Sequence, residues 1–146
     1  MIYAEIERLE YLCNLIPDLL NKIAEDSFSK KANPDKWSNK EIIGHLIDSA
    51  INNHQRWVRA QFEILPNIVY DQNKWNSCNY YQNMASEHVI NFWTFYNRHL
   101  IEFWKNIPSD KLDFLCSIGD QDFSIQFLIQ DYIQHLEHHL KQIVDY

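Results

Sequence analysis

The stretch Asp131-Tyr-Ile-Gln-His-Leu-Glu-His-His-Leu-Lys-Gln-Ile-Val144 decides the fold of this chain. It places three of the seven histidines within five positions. Ile125, Leu128, Tyr132, Leu136, Leu140 and Ile143 recur at spacings of three and four. That is the apolar stripe of an amphipathic helix reaching back to Ser124. His135 follows Leu128 by seven residues and His139 follows Tyr132 by seven, so both belong to the buried side. His138 shares its phase with Asp131, Gln134 and Lys141, a solvated face. Two inward imidazoles one turn apart are either hydrogen-bonded core histidines or half of a metal site.

At 146 residues the chain is long enough for one domain, spanning 1–146, with a sizeable core. Two Gly and four Pro beside 14% aromatics argue against a turn-rich β-sandwich and against disorder. A net charge of −7 without a basic stripe disfavours nucleic acid as a partner. No apolar run approaches the ~18 residues of a membrane span. The start, Met1-Ile-Tyr-Ala-Glu-Ile-Glu-Arg8, has neither the basic nor the apolar region of a secretory signal. Cys13, Cys78 and Cys116 are odd in number and far apart, which suits reduced thiols of a cytoplasmic protein.

The periodicity predicts three further helices. The first covers Ile2 to Glu25 with Ile6, Leu9, Leu12, Ile16 and Leu20 on its stripe, and Pro17 is expected to kink or divide it. A polar loop follows from Asp26 to Trp37. The second helix opens on Ser38-Asn-Lys-Glu41, a capping box, and runs to about Phe62. It carries His45 and, on the same line, Ser49, Asn52 and Arg56. Residues 63–85 are non-periodic, a length usually reserved for function or for a crossover. The third helix runs from Ser86 to just before Pro108, and 109–123 connects it to the fourth.

His45 lies seven residues inside the second helix, roughly 10 Å from its start, and His139 lies roughly 9 Å from the end of the fourth. The three histidines share a level only if these two helices are antiparallel. Segment 63–85 must then cross the bundle, giving an all-α four-helix bundle in up-down-down-up order. His45, His135 and His139 together offer three neutral nitrogens, the open donor set of a catalytic divalent ion. Zinc and nickel head the candidates; iron and cobalt also suit such ligands. Such an ion would lower the pKa of water or of a small thiol. Ser49, Asn52 and Arg56 are the expected substrate-binding line, with Arg56 drawing in a carboxylate and the Tyr70–Trp75 segment shaping the pocket. Asp48 and Glu41 are placed either to orient His45 or to act as a surface charge and a helix cap respectively.

Lys36-Trp-Ser-Asn-Lys-Glu-Ile-Ile-Gly-His-Leu-Ile-Asp-Ser49, Tyr70-Asp-Gln-Asn-Lys-Trp75 and His135-Leu-Glu-His-His-Leu140 resemble the DinB superfamily, in its YfiT-like branch. The resemblance covers essentially the whole chain. It implies an up-down-down-up bundle holding a divalent metal on one His of the second helix and a His-x-x-x-His pair of the fourth, here His45, His135 and His139. It also implies metal-dependent hydrolysis or transfer of a low-molecular-weight thiol, and a homodimer. Ala50 departs from the pattern, since the YfiT-like branch often carries another His there.

The resulting expectation is a metal-dependent enzyme that activates water or a small thiol against a small electrophile. The alternatives are a non-catalytic metal-binding or stress-related bundle, and a structural bundle with hydrogen-bonded core histidines.

Overall fold

Four long helices carry the architecture of the computed structural model, which describes residues 1–146: α1 (Tyr3–Asn21), α3 (Asn39–Arg59), α5 (Ser86–Lys105) and α6 (Ile125–Leu140). Two short helices, α2 (Glu25–Phe28) and α4 (Gln72–Asn79), and a hairpin of β1 (Leu115–Ile118) and β2 (Gln121–Ser124) lie in the connections. α3 is buried on every side from Ile43 to Ala50, whereas α1, α5 and α6 each bury one stripe. On α1 it is Ile6, Leu9, Leu12, Cys13, Ile16 and Leu20. On α6 it is Ile125, Leu128, Ile129, Tyr132, Ile133, Leu136 and Leu140. Trp57, Trp104 and Tyr132 meet edge to face with ring centroids 5.2–5.9 Å apart at the centre of the core.

Neighbouring contacts set the order around the bundle as α1, α5, α3, α6. Lys105 pairs with Glu10, so α1 and α5 are antiparallel. His54 bonds Tyr96 while Trp57 packs on Trp104, so α3 and α5 are parallel. Met1 reaches Gln126 and Arg8 reaches Glu137, so α1 and α6 are parallel as well. The topology is up-down-down-up, with α3 and α6 antiparallel.

Helix α3 begins as its sequence predicts. Ser38 accepts from the Glu41 amide at 3.1 Å while the Glu41 carboxylate accepts from the Ser38 amide at 3.1 Å, a capping box. Glu41 also pairs with Lys31 at 2.8 Å, so it serves the cap and not His45.

Several boundaries differ from expectation. Pro17 leaves α1 undivided, because the residues around it, Leu12, Cys13, Ile16 and Leu20, are all locked in the core. α1 stops at Asn21, and α2 forms in the predicted loop, where it inserts Phe28 into the core. The hairpin occupies the predicted plain connection 109–123, turning at Gly119, whose φ of +68° suits a residue without a Cβ.

Segment 60–85 crosses the bundle but is not the featureless loop its polarity suggests. Its first part joins the hairpin: Ser117 donates to the Pro66 carbonyl at 2.9 Å and Ile68 donates to the Ser117 carbonyl at 3.0 Å. The chain then returns along α3, bonded to it at each level. Arg56 donates through Nε and Nη2 to the Ile68 carbonyl at 3.2 and 3.0 Å. Tyr81 and Asn79 donate to Asp48 Oδ1 at 2.6 and 2.9 Å. Asn76 donates to the Glu41 carbonyl at 2.8 Å, and Ser38 to Gln82 at 2.6 Å. α4 is capped by Asp71, which accepts from the Asn73 and Lys74 amides. The polar line on α3 is thus the seat of the crossing. It satisfies buried polar groups of a segment that joins the hairpin only through residues 66–68.

Gly44 is required by this docking, because a Cβ there would stand 2.2 to 2.7 Å from the Tyr81 ring. We expect Gly44→Ala to destabilise the protein by about 1–3 kcal/mol through overpacking, despite the better helix propensity of Ala. Urea unfolding checks this; a variant as stable as the parent would show that Tyr81 is not held against α3.

Candidate metal centre

His45 sits in the second turn of α3, and His135 and His139 sit in the last two turns of α6. Because the two helices are antiparallel, the three imidazoles converge. Their ring centroids are 5.0 Å apart for His45–His135, 4.8 Å for His45–His139 and 4.7 Å for His135–His139. One nitrogen from each lies within 4.8 Å of the others. His45 Nε2 and His135 Nε2 are 3.1 Å apart. Two nitrogens each about 2.1 Å from a common ion, at tetrahedral or octahedral angles, would stand about 3.0–3.4 Å apart. The donor set fits a divalent ion and the His45–His135 pair already stands at this separation, whereas the set as a whole spans up to 4.8 Å and would have to close by a small side-chain movement to share one ion. The C-terminal end of α6 adds the negative end of a helix dipole.

Electrostatics keep the cluster neutral. Burial, then the neighbouring imidazoles of His135 and His139, pull the His45 pKa down to about 3. Burial, then His139 and His138, pull His135 down to about 4. His139 is lowered by burial, opposed by a hydrogen bond to Gln142. Neutral imidazole is the ligand form. His45 Nδ1 is buried without a partner. His138 is exposed, as its phase predicts, and lies outside the cluster.

Two residues that the sequence did not single out complete the surroundings. Trp37, from the loop before α3, lies against His45 with ring centroids 4.8 Å apart. Gln142, just beyond α6, bonds His139 Nδ1 at 3.3 Å. Both line a cleft of about 350 Å³ with Asp35, Lys36, Ile42, Gln72 and Asn73. The cleft therefore lies one residue's thickness from two of the imidazoles. A local signal exists only for Gln142, three positions after His139 and so one helical turn away.

Ser49, Asn52 and Arg56, expected along the approach to an ion, are buried beneath the crossing. Asn52 donates to the Asp48 carbonyl, Ser49 accepts from Asn53, and Arg56 holds Ile68 and Asn53. None of the three lines the cleft. Asp48 faces Tyr81 and Asn79 on the crossing, and burial raises its pKa to about 6. A further cavity of about 370 Å³ lies at the other end of the bundle, between the start of α1 and the end of α5.

The shifts set a pH dependence. A histidine whose folded pKa is below its unfolded value of 6.5 binds more protons when unfolded, so stability falls as pH drops from 6.5. Asp48 acts oppositely, its contribution being lost as pH rises through about 6. One carboxyl opposes three imidazoles, so the metal-free protein should lose stability steadily from pH 6.5 to 4. Thermal unfolding across that range checks this, and His135→Gln should flatten the slope. An unchanged slope in the variant would mean that His135 is not held neutral.

The family model of the DinB superfamily matches residues 8–143. A relative from Oceanobacillus iheyensis, named "putative metal-dependent hydrolase", is 23% identical over 145 residues, covering 97% of this chain and 83% of its own. YfiT from Bacillus subtilis, described as "a probable metal-dependent hydrolase with an unusual four-helix bundle topology", superposes with a TM-score of 0.86 at 15% identity. That match covers 96% of this chain and 82% of YfiT. With the matched residues taking in most of α1, the other three long helices and all three converging histidines, the chain belongs to the DinB superfamily.

Proposed function

We propose that His45, His135 and His139 hold one divalent ion, zinc or nickel, and that the protein catalyses attack of water or a small thiol on a small electrophile. The observation that carries this reading is three neutral imidazoles, nitrogens within 4.8 Å, beside an open cleft. The names of the Oceanobacillus and Bacillus relatives support the hydrolytic form. An ion on three neutral imidazoles supplies Lewis acidity and lowers the pKa of water or thiol toward neutrality.

The protein's own residues divide the remaining work. Trp37 covers one face of His45 and excludes water from it. Trp37 and Ile42 give the cleft an apolar surface, while Gln72, Asn73 and Gln142 offer amides. Asp35 brings the cleft's only carboxylate and Lys36 its only ammonium, and neither is in an ion pair. Asp35 is thus the group available to accept a proton, and Lys36 the group available to bind a substrate carboxylate. Arg56 acts on the site indirectly, by seating the crossing from which Gln72 and Asn73 project, while Ser49 and Asn52 are hydrogen-bonded to neighbours on α3 itself.

A non-catalytic metal-binding module is the second reading. It is favoured by the commitments of three carboxylates near the histidines in sequence: Asp48 to Tyr81 and Asn79, Glu41 to the helix cap and Lys31, and Glu137 to Arg8. No carboxylate is hydrogen-bonded to a histidine of the cluster.

Elemental analysis of tag-free protein should find one divalent ion per chain. His45→Ala and His139→Ala should lose most of it, while His138→Ala should retain it. Metal-free preparations across several loading conditions would refute the centre. Lys36→Ala should raise KM for carboxylate-bearing thiols or esters with metal content unchanged. Arg56→Ala should instead lower stability by about 1–3 kcal/mol by stranding the Ile68 carbonyl. A loaded protein inert across a broad ester and thiol panel would favour the non-catalytic module.

A further inference from the structure

His138 is the histidine that the metal reading leaves without a task, and its position supplies one. Gln142 stands between it and His139: Gln142 Oε1 is 3.3 Å from His139 Nδ1, and Gln142 Nε2 is 3.3 Å from His138 Nε2. The two imidazoles are nearly perpendicular, at 76°, with centroids 5.1 Å apart.

An amide oxygen can only accept, so His139 Nδ1 carries the hydrogen in this arrangement. Neutral His139 then has a bare Nε2 with which to bind an ion. An amide NH2 can only donate, so His138 Nε2 is the bare nitrogen of its ring and accepts. A flipped Gln142 would reverse both assignments, turning its NH2 toward His139 and favouring the form protonated on Nε2, which cannot ligate. We propose that His138 and Gln142 form a brace that holds His139 in its metal-binding tautomer.

Gln142 is the only protein partner on the outward nitrogen of any of the three imidazoles. His45 Nδ1 is buried without a partner, and the only hydrogen bond of His135 is its Nε2 contact with His45. Metal-bound histidines commonly donate their second N–H to an acceptor that fixes the ring and its tautomer. The brace supplies that acceptor from a residue one turn beyond the ligand, in the turn after α6, where Gln142 donates its own amide to the His139 carbonyl at 3.1 Å. Both side-chain bonds are at the long end of the hydrogen-bond range and exposed, so water competes with them. The effect on affinity therefore falls at the low end of that known for such partners, about tenfold. His138 and Gln142 are positioning residues, acting through His139.

This inference rests on the proposed metal centre, and the test separates the two. Tag-free protein is titrated with zinc against a chromogenic chelator, and histidine tautomers are read from ring 15N shifts at neutral pH before and after loading. Gln142→Leu should weaken zinc binding about tenfold. Gln142→Glu, which keeps the acceptor and cannot present a donor, should bind zinc at least as tightly as the parent. His138→Ala should weaken binding several-fold in the parent and not at all in the Gln142→Glu background. In the metal-free parent His139 should be protonated on Nδ1, and zinc should leave His138 with a bare Nε2. Parent-like affinity of Gln142→Leu, a metal-free His139 protonated on Nε2, or an equal His138→Ala effect in both backgrounds would each overturn the brace. Failure of the metal centre itself has a different signature, zinc binding in His45→Ala equal to that of the parent.

Discussion

The Arg56 guanidinium, buried and clasping the Ile68 carbonyl with two of its N–H groups, marks the constraint on which the structure depends. Consecutive long helices α3 and α5 are parallel neighbours, so the chain must travel back the full length of the bundle between them. A segment doing so buries backbone polar groups with neither a helix nor a sheet to satisfy them throughout. The protein resolves this by turning one face of α3 polar. Ser38, Glu41, Asp48 and Arg56 each meet the crossing, and the hairpin takes its first residues as a third strand-like partner. Without that return path α3 and α6 could not be antiparallel, and His45 would lie far from His135 and His139.

Convergence has an electrostatic consequence. Three imidazoles within 4.8 Å, with His45 buried behind Trp37 and His135 and His139 half-buried, disfavour protonation by desolvation first and by mutual repulsion second. The same features that make the cluster a poor host for protons make it a good host for a cation with vacant coordination positions. The C-terminal dipole of α6 favours any cation there, so it aids a metal ion while opposing in part the loss of protons. The site's character therefore arises from helix packing as much as from ligand identity.

Polar residues divide into two populations. Those on α3 below His45 are buried and bonded mostly among themselves: Asn52 donates to the Asp48 carbonyl, Asn53 to the Ser49 carbonyl and Arg56 to Asn53, while Asn79 of the crossing donates to Asp48. Those on the loop before α3, the start of α4 and the turn after α6 are exposed and largely unpaired, and they surround the cleft. Arg56 shows the distinction most clearly: its charge, which in isolation suggests anion recognition, is spent on a carbonyl. Lys36, a residue without any local signal, is the cation with access to the cleft.

The bundle and its three-histidine corner were legible because they rest on periodicity. The spacing of Leu128, Tyr132 and Leu136 with His135 and His139 determined which imidazoles face inward, and Ser38 with Glu41 determined where α3 starts. Chain connectivity then required the crossing, since three histidines at one level leave no other order. Tertiary structure alone decided the rest. Phe28 turned part of a polar loop into α2 by burial, and the core around Pro17 kept α1 whole against the local cost of the ring. The polar line of α3 has the same sequence whether it faces a ligand or a backbone, so only the path of residues 60–85 could assign it. Trp37 and Gln142 reach the site from segments on either side of it in the chain, 98 residues removed from His135 in the case of Trp37. Periodicity reports what one helix does with its own faces; it carries no information about which distant loop folds over them.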